Sequence, residues 1–368
     1  MNTFLVGGAC RDILLGLEPK DKDFVVVGST PEVMLSLGFK QVGADFPVFL
    51  SPEGEEFALA RTERSTGEGH TDFECVFSPD VTLEEDLKRR DLTINSMAMD
   101  EEGNITDPFG GRKDLDNKIL RATSEAFSED PLRVLRVARF WARLGDEWTI
   151  EEGTVDTMQR LMQSGAVKAI SGERLWKETE RAMTEPAPWV FFSILLTALD
   201  IKSQSVDWAE LKKMIKVAQE SLCSTEEIFT LCLGEIPSEE SDKLIEILKV
   251  PNSFEDTHRR SVGVMGFACV RSLNNERIQQ ILEHFDFFRN EEHLLKNIRI
   301  EKCIFSDDDD FSELWLAFAA AAKSVKAKPF VDQGLQGKEI GDMMRLERLE
   351  RIQEVLDENQ NHQRGKNS

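Results

Sequence analysis

Residues 4–28 read FLVGGACRDILLGLEPKDKDFVVVG, and this stretch decides the N-terminal fold. Two short apolar, β-branched runs, FLV and FVVVG, are bounded by glycine as strands should be. Between them lies a helix after Gly8, with Ile13, Leu14 and Leu17 expected on its apolar side. A strand–GG–helix junction exposes backbone N–H groups and a positive helix end, which suits a phosphate. GG alone favours the plainer reading, a tight strand-to-helix turn. A dinucleotide-binding fold would need GxGxxG, and GGACRD excludes it. Asp21 and Asp23 stand two apart at the start of the second strand, so both carboxylates point to one side. Such a pair repels itself; it could solvate a strand edge, but magnesium ions would cancel the repulsion and clamp a triphosphate. With GG and Arg11 just upstream, the metal reading leads.

Working outward, FPVFL (46–50) and EFALAR (56–61) read as further strands, separated by turn chemistry. TPEVMLSLG (30–38) reads as a short helix with Thr30 as cap and Pro31 at its first position. Strand signals largely end by residue 125. Beyond it, SEDPLRVLRVARFWARLG predicts a helix capped by Ser128 or Asp130, and SGERLWKETERAM predicts one starting at Ser171. More helices are expected near 207–220, 225–233, 241–249, 276–288, 312–323 and 338–357, ahead of a frayed NQNHQRGKNS. The expected fold class is α+β: a mixed head followed by helices.

At 368 residues the chain has room for two or three domains, and no segment approaches a membrane span. The first residues lack a basic region and a long apolar core, so no secretory leader is expected. Six scattered cysteines without a CxxC pair suit a reducing, cytoplasmic setting. A net charge of −23 argues against a nucleic-acid partner unless a local basic stripe overrides it. The DDDD run at 307–310 points to the C-terminal half as the source of the acid. The five histidines are dispersed, which argues against a histidine metal site.

Two more stretches carry chemistry. In DLKRRDLTINSMA (86–98), Arg89, Arg90 and Asp91 precede a helical stretch, with Asn95 four residues after Asp91. Arginine forks onto phosphate and aspartate accepts from a ribose hydroxyl, but taken by itself this stretch reads as an ordinary surface charge cluster. In EDPLRVLRVARFWAR, Arg133, Arg136, Arg139 and Arg143 fall on one helical stripe, with Asp130 beside Arg133. An aspartate next to an arginine offers acceptors and donors together and can read the edge of a base.

GGACRDILLG…DKD, RRDLTIN, EDPLRVLRVARF and GERLWKE, in this order and spacing, closely resemble the class II tRNA nucleotidyltransferases, the CCA-adding enzymes. The resemblance is dense over 1–185 and thinner afterwards, where KVPNSF and FVDQGLQGKEIGDMM still follow it. It implies a polymerase-β-like head (1–125), a helical neck (126–200) and a helical body and tail (201–368). The implied reaction adds CCA to the tRNA 3′ end from CTP and ATP without a nucleic-acid template. Asp21 and Asp23 would hold Mg²⁺, and Gly8 and Arg11 would contact phosphates. Arg90 and Asp91 would bind triphosphate and ribose. Asp130 and Arg133 would select the base, with Arg136 and Arg139 assisting, while Glu173 and Arg174 brace the junction. Glu56 is a possible third carboxylate, with a structural role favoured. No membrane or DNA partner is expected. Relatives carry an HD phosphohydrolase domain, but the corresponding FTLCLGEIP (229–237) has no histidine, so no such activity is expected. Poly(A) polymerases, CC-only or A-only enzymes and a catalytically dead tRNA-binding protein are the rivals.

Overall fold

The computed structural model describes residues 1–19, 21–42, 48–65, 73–264, 267, 269–305 and 310–366, without the side chains of 63–65, 73–76, 310 and 361–366. The start of FPVFL, most of the DDDD run and His70 therefore lie outside the described residues. Backbone contacts divide the chain into two units, Met1–Ile201 and Lys202–Ser368. The first contains the whole of the expected head and neck.

The strands of the first unit are β1 (Asn2–Val6), β2 (Asp23–Val27), β3 (Lys40–Val42), β4 (Val48–Leu50), β5 (Glu56–Leu59), β6 (Arg61–Ser65), β7 (Phe73–Phe77), β8 (Ala98–Met99), β9 (Ile105–Thr106), β10 (Ile119–Leu120) and β11 (Thr149–Ile150). Its helices are α1 (Gly8–Leu14), α2 (Pro31–Ser36), α3 (Leu83–Lys88), α4 (Gly111–Asp116), α5 (Arg133–Leu144), α6 (Glu152–Gln163), α7 (Gly172–Ala182) and α8 (Pro188–Leu199). Seven strands form one mixed sheet in the order β3-β4-β5-β2-β1-β8-β9. β1 runs antiparallel to β2, with Val6 opposite Asp23, and β2 runs parallel to β5, with Asp23 opposite Glu56. Val6, Val25, Ala60, Leu87 and Ala98 pack on one side of this sheet; Val26, Met34, Phe49 and Leu59 pack on the other. The alternation of Val25 and Val26 in the core explains why FVVVG reads as an unbroken apolar run.

α2 starts as expected: the Thr30 side chain accepts from Val33 N–H, with Pro31 at the first turn. α5 does not begin at Ser128 or Asp130. A 3₁₀ segment, Glu125–Glu129, comes first, and the Asp130 carboxylate instead accepts from Leu132 N–H at 3.1 Å. α1 also departs from expectation. Ile13 and Leu17 are exposed, whereas Ala9, Cys10, Arg11 and Asp12 are buried. Two small core residues, Ala9 and Cys10, and a buried polar network around Arg11 and Asp12 fix this helix in place of the expected apolar side. RRD likewise sits at the end of α3, ahead of a single 3₁₀ turn, Thr93–Asn95, rather than a longer helix.

The second unit is helical among its described residues: α9 (Trp208–Glu220), α10 (Thr225–Gly234), α11 (Ser238–Leu248), α12 (Asn252–Val262), α13 (Asn275–His284), α14 (Glu292–Ile304), α15 (Asp310–Ser324), α16 (Lys328–Asp332) and α17 (Lys338–Lys366). The backbone of α17 continues through much of the segment expected to fray. Phe267, Phe285, Phe311, Trp315 and Phe318 centre one of its cores, with Phe267 stacked on Trp315. The acid excess is not concentrated here. Of 68 acidic residues 37 fall in the first 201, against 22 of the 45 basic ones.

Candidate active site

The antiparallel register of β1 and β2 brings the two ends of the opening stretch together. Val6 pairs with Asp23, so the Gly7–Gly8 turn leaves β1 beside the point where Asp21 and Asp23 enter β2. Gly7 adopts φ +68°, a left-handed conformation that lets α1 start directly after the strand. A cavity of about 630 Å³ opens there. Nine arginines and five aspartates line it, without one lysine. This is a local cationic site within an acidic unit, the exception that net charge conceals. Gly8, Arg11, Asp21, Asp23, Arg90, Asp91, Asp130, Arg133, Arg136 and Arg139 all line this cavity.

Lining a cavity and offering free groups to it are different properties. Arg11 is 1% exposed; it donates to Asp12 at 2.7 and 2.9 Å and to Asn95 Oδ1 at 2.6 Å. Burial pulls its guanidinium below the usual arginine range, against the pull of Asp12. It holds the turn from beneath. Both oxygens of Asp91 are also occupied, Oδ1 by Leu92 N–H and Asn95, Oδ2 by Arg136. Burial alone would raise its carboxyl, but Arg136, Asn95 and the Leu92 N–H hold it far below the carboxylate range.

The α5 arginines are anchored one by one. Arg133 donates to the carbonyls of Ala126 and Arg89 at 2.8 and 2.6 Å. Arg136 meets Asp91 at 2.7 Å, Arg139 meets Glu178 on α7 at 2.7 Å, and Arg143 meets Asp12 at 2.8 Å. Phe140 lies within this arc, with the Arg139 and Arg11 guanidiniums 4.8 and 5.2 Å from its ring centre. Asp130 is engaged not by the Arg133 side chain but by Arg174, at 2.8 Å. Arg174, expected only to brace the junction, thus belongs to the site, as do Glu178, Phe140, Asp12 and Arg181, whose sequence context shows only helical periodicity. The spacing of ERLWKE from EDPLR is the one signal that relates Arg174 and Glu178 to Asp130.

Asp21 and Asp23 differ from the other aspartates. Both are exposed, and neither has an ion pair among the described residues. The surrounding walls desolvate Asp23 enough to raise its carboxyl, and Asp21 pushes the same way, with Arg90 opposing. A carboxylate pair under mutual repulsion beside an anion-binding arc is a donor set suited to a hard divalent cation. No third histidine, cysteine, aspartate or glutamate joins them closely enough to complete a cation cluster among the described residues. A second cavity of about 1190 Å³ shares Asp21, Asp23, Arg139, Arg143 and Arg181 with the first. Glu56 faces this second cavity and not the first.

Comparison with known proteins is consistent with this geometry. Residues 3–121 match the family model described as the poly A polymerase head domain. The CCA-adding enzyme of Marinobacter nauticus is 43% identical over 371 residues, covering 97% of this chain and 99% of that protein. The multifunctional CCA protein of Vibrio campbellii is 38% identical over 417 aligned positions, covering 97% and 100%. That alignment is longer than this chain, so the Vibrio protein contains segments that this one lacks. The crystal structure of the Bacillus stearothermophilus CCA-adding enzyme in complex with CTP superposes with a TM-score of 0.67 at 26% identity, covering 100% of this chain and 95% of that one. With a relative this similar along its whole length, the chain belongs to the family of CCA-adding enzymes.

Proposed function

We propose that this chain adds and repairs the 3′-terminal CCA of tRNA, taking CTP and ATP and releasing pyrophosphate without a nucleic-acid template. The observation that carries the reading is the convergence of the exposed Asp21–Asp23 pair and the arginine arc on one cavity at the β1–β2 junction. Asp21 and Asp23 would hold Mg²⁺, which when bound lowers the pKa of the attacking 3′-hydroxyl and neutralises the departing pyrophosphate. Arg90 binds the triphosphate above the Gly7–Gly8 turn, whose backbone admits a phosphate closely. Arg11 and Asp91 act through this wall, keeping the turn and α5 in place around the triphosphate and ribose. Asp130 and Arg133 read the edge of the incoming base, with Arg136 and Arg139 behind them. In the free protein the Asp130 carboxylate is held by Arg174, so a base gains that acceptor by exchange. The second cavity, which shares the carboxylate pair, receives the tRNA 3′ end.

On this reading residues 1–125 are the catalytic head, 126–200 the base-selecting neck and 201–368 the tRNA-binding body and tail, in a cytoplasmic enzyme. No described helix is long and apolar enough to cross a membrane. The test is incubation with tRNA lacking CCA and each nucleotide separately and together. Ordered addition of two C and one A is the expected result. A long A tail would make the chain a poly(A) polymerase, CC or A alone a partial enzyme, and no product a binding protein. Asp21→Ala with Asp23→Ala should abolish incorporation while leaving tRNA binding largely unchanged.

A further inference from the structure

Asp86 has no place in the reaction as described so far, yet it is fully buried directly beneath the cavity wall. Its Oδ1 accepts from Arg89 Nη2 at 2.8 Å and Nε at 3.2 Å, and from Arg61 N–H at 3.3 Å. Its Oδ2 accepts from Arg90 Nη2 at 3.1 Å and Nε at 3.3 Å. One carboxylate thus fixes two consecutive arginines, one on each oxygen. Arg89 is further tied through its Nε to the Arg61 carbonyl at 3.1 Å, and its own carbonyl receives Arg133. Arg90 Nη1 has no partner among the described residues. A Cβ built on Gly7 would stand 3.1 Å from it, which puts this nitrogen over the strand–helix turn. Arg90 therefore grips Asp86 with one edge of its guanidinium and presents the other to the cavity.

We infer that Asp86 is a positioning residue for triphosphate recognition, holding the Arg90 fork over the Gly7–Gly8 turn before a nucleotide arrives. The inference rests on the reading of this cavity as a nucleotide site. A flexible arginine loses side-chain freedom on gripping phosphate; one already fixed by a buried carboxylate has lost it on folding, so less is lost on binding. The charge balance agrees. Two arginines packed at one wall of a cationic cavity repel each other, and Asp86 offsets part of that repulsion without reaching the ligand. Burial by itself would raise the Asp86 carboxyl, but Arg90 and Arg89 hold it below the usual range, so it stays charged at neutral pH.

Asp86→Asn tests this, because an amide keeps the volume but has one acceptor oxygen where the carboxylate has two. Binding of CTP and of CMP is measured by calorimetry, together with inhibition of incorporation by pyrophosphate. The expected result is a loss of roughly tenfold or more for CTP and pyrophosphate, with CMP changed less than about twofold. Equal losses for CTP and CMP, or none for either, would show a structural brace only and overturn the inference. If Asp86→Asn does not fold, Arg90→Lys takes its place, since lysine keeps the charge but cannot grip a carboxylate and a phosphate along two edges. A selective CTP loss in Arg90→Lys supports the fork; CTP binding equal to the parent overturns it. Failure of the CCA reading is a separate outcome: the parent protein adds no nucleotides, while the CTP-to-CMP ratio still reports on Asp86.

Discussion

Two glycines show how far single positions constrain the first unit. Gly7 at φ +68° has Arg90 Nη1 within 3.1 Å of the point a Cβ would occupy. Gly7→Ala therefore adds backbone strain of about 1–2 kcal/mol and pushes Arg90 out of register. The expected outcome is a lower melting temperature together with a KM for CTP raised roughly tenfold or more. Unchanged KM in steady-state incorporation would contradict this placement of Arg90. Gly111 differs: its φ is ordinary, but a Cβ there would come 2.3 Å from the Thr93 carbonyl and 2.9 Å from Met97. Gly111→Ala should cost about 3 kcal/mol by overpacking, visible as a shift in the urea midpoint. At this scale the sequence points to residues that the fold does gather at one cavity, but not to the partners that hold them there. The family resemblance makes Arg11 a phosphate contact, and in the free protein Asp12 and Asn95 hold its guanidinium. Partner choice across 84 residues leaves no local pattern to read.

Among the elements, α5 carries most of the organisation. Its arginine stripe reads from sequence as a face offered to a ligand. In the fold the same side chains line the cavity and are also attached to the head at Arg89, Asp91 and Asp12 and to α7 at Glu178. The Arg139–Glu178 pair is the most enclosed of them, with side chains 9% and 5% exposed. Arg139→Met leaves Glu178 with weaker company, Arg136 at 3.8 Å and Arg181 at 4.0 Å. The single change should destabilise by about 3 kcal/mol. Removing both charges, in Arg139→Met with Glu178→Met, should recover part of that loss, because the buried anion goes too. Urea denaturation of the two single variants and the double decides it; additive losses would mean that the pair is not coupled. Helix existence was legible where a cap and a 3.6-residue period coincide, as in α2, α9 and α10. It was not legible in α8, PWVFFSILLTAL, which is apolar nearly all round and buried, so no stripe marks it.

At the scale of the whole chain, the mixed first part and helical remainder are legible because strand-forming runs stop early. The two-residue strands β8 to β11 are too short to show alternation, and pairing alone defines them. Net charge misleads at this scale, since the cavity arginines are outnumbered by surface acids in the same unit. The pH dependence of stability is a further whole-chain property, and two groups in the second unit tilt it in opposite directions. His258 is buried, its Nδ1 has no partner among the described residues, and burial pulls its imidazole down to about 4. Between about pH 6.5 and 4 the unfolded chain takes up a proton that the folded chain refuses, so stability falls as pH falls, by up to roughly 3 kcal/mol. Burial raises Glu301 to about 7. Its folded form keeps a proton that the unfolded chain releases above about pH 4.3, so its contribution is lost as pH rises towards 7. Relative to the parent, His258→Gln should therefore gain more in melting temperature at pH 5 than at pH 7.5, and Glu301→Gln more at pH 7.5 than at pH 5. Melts at the two pH values separate these effects, because a substitution that only disturbs packing shifts both pH values alike.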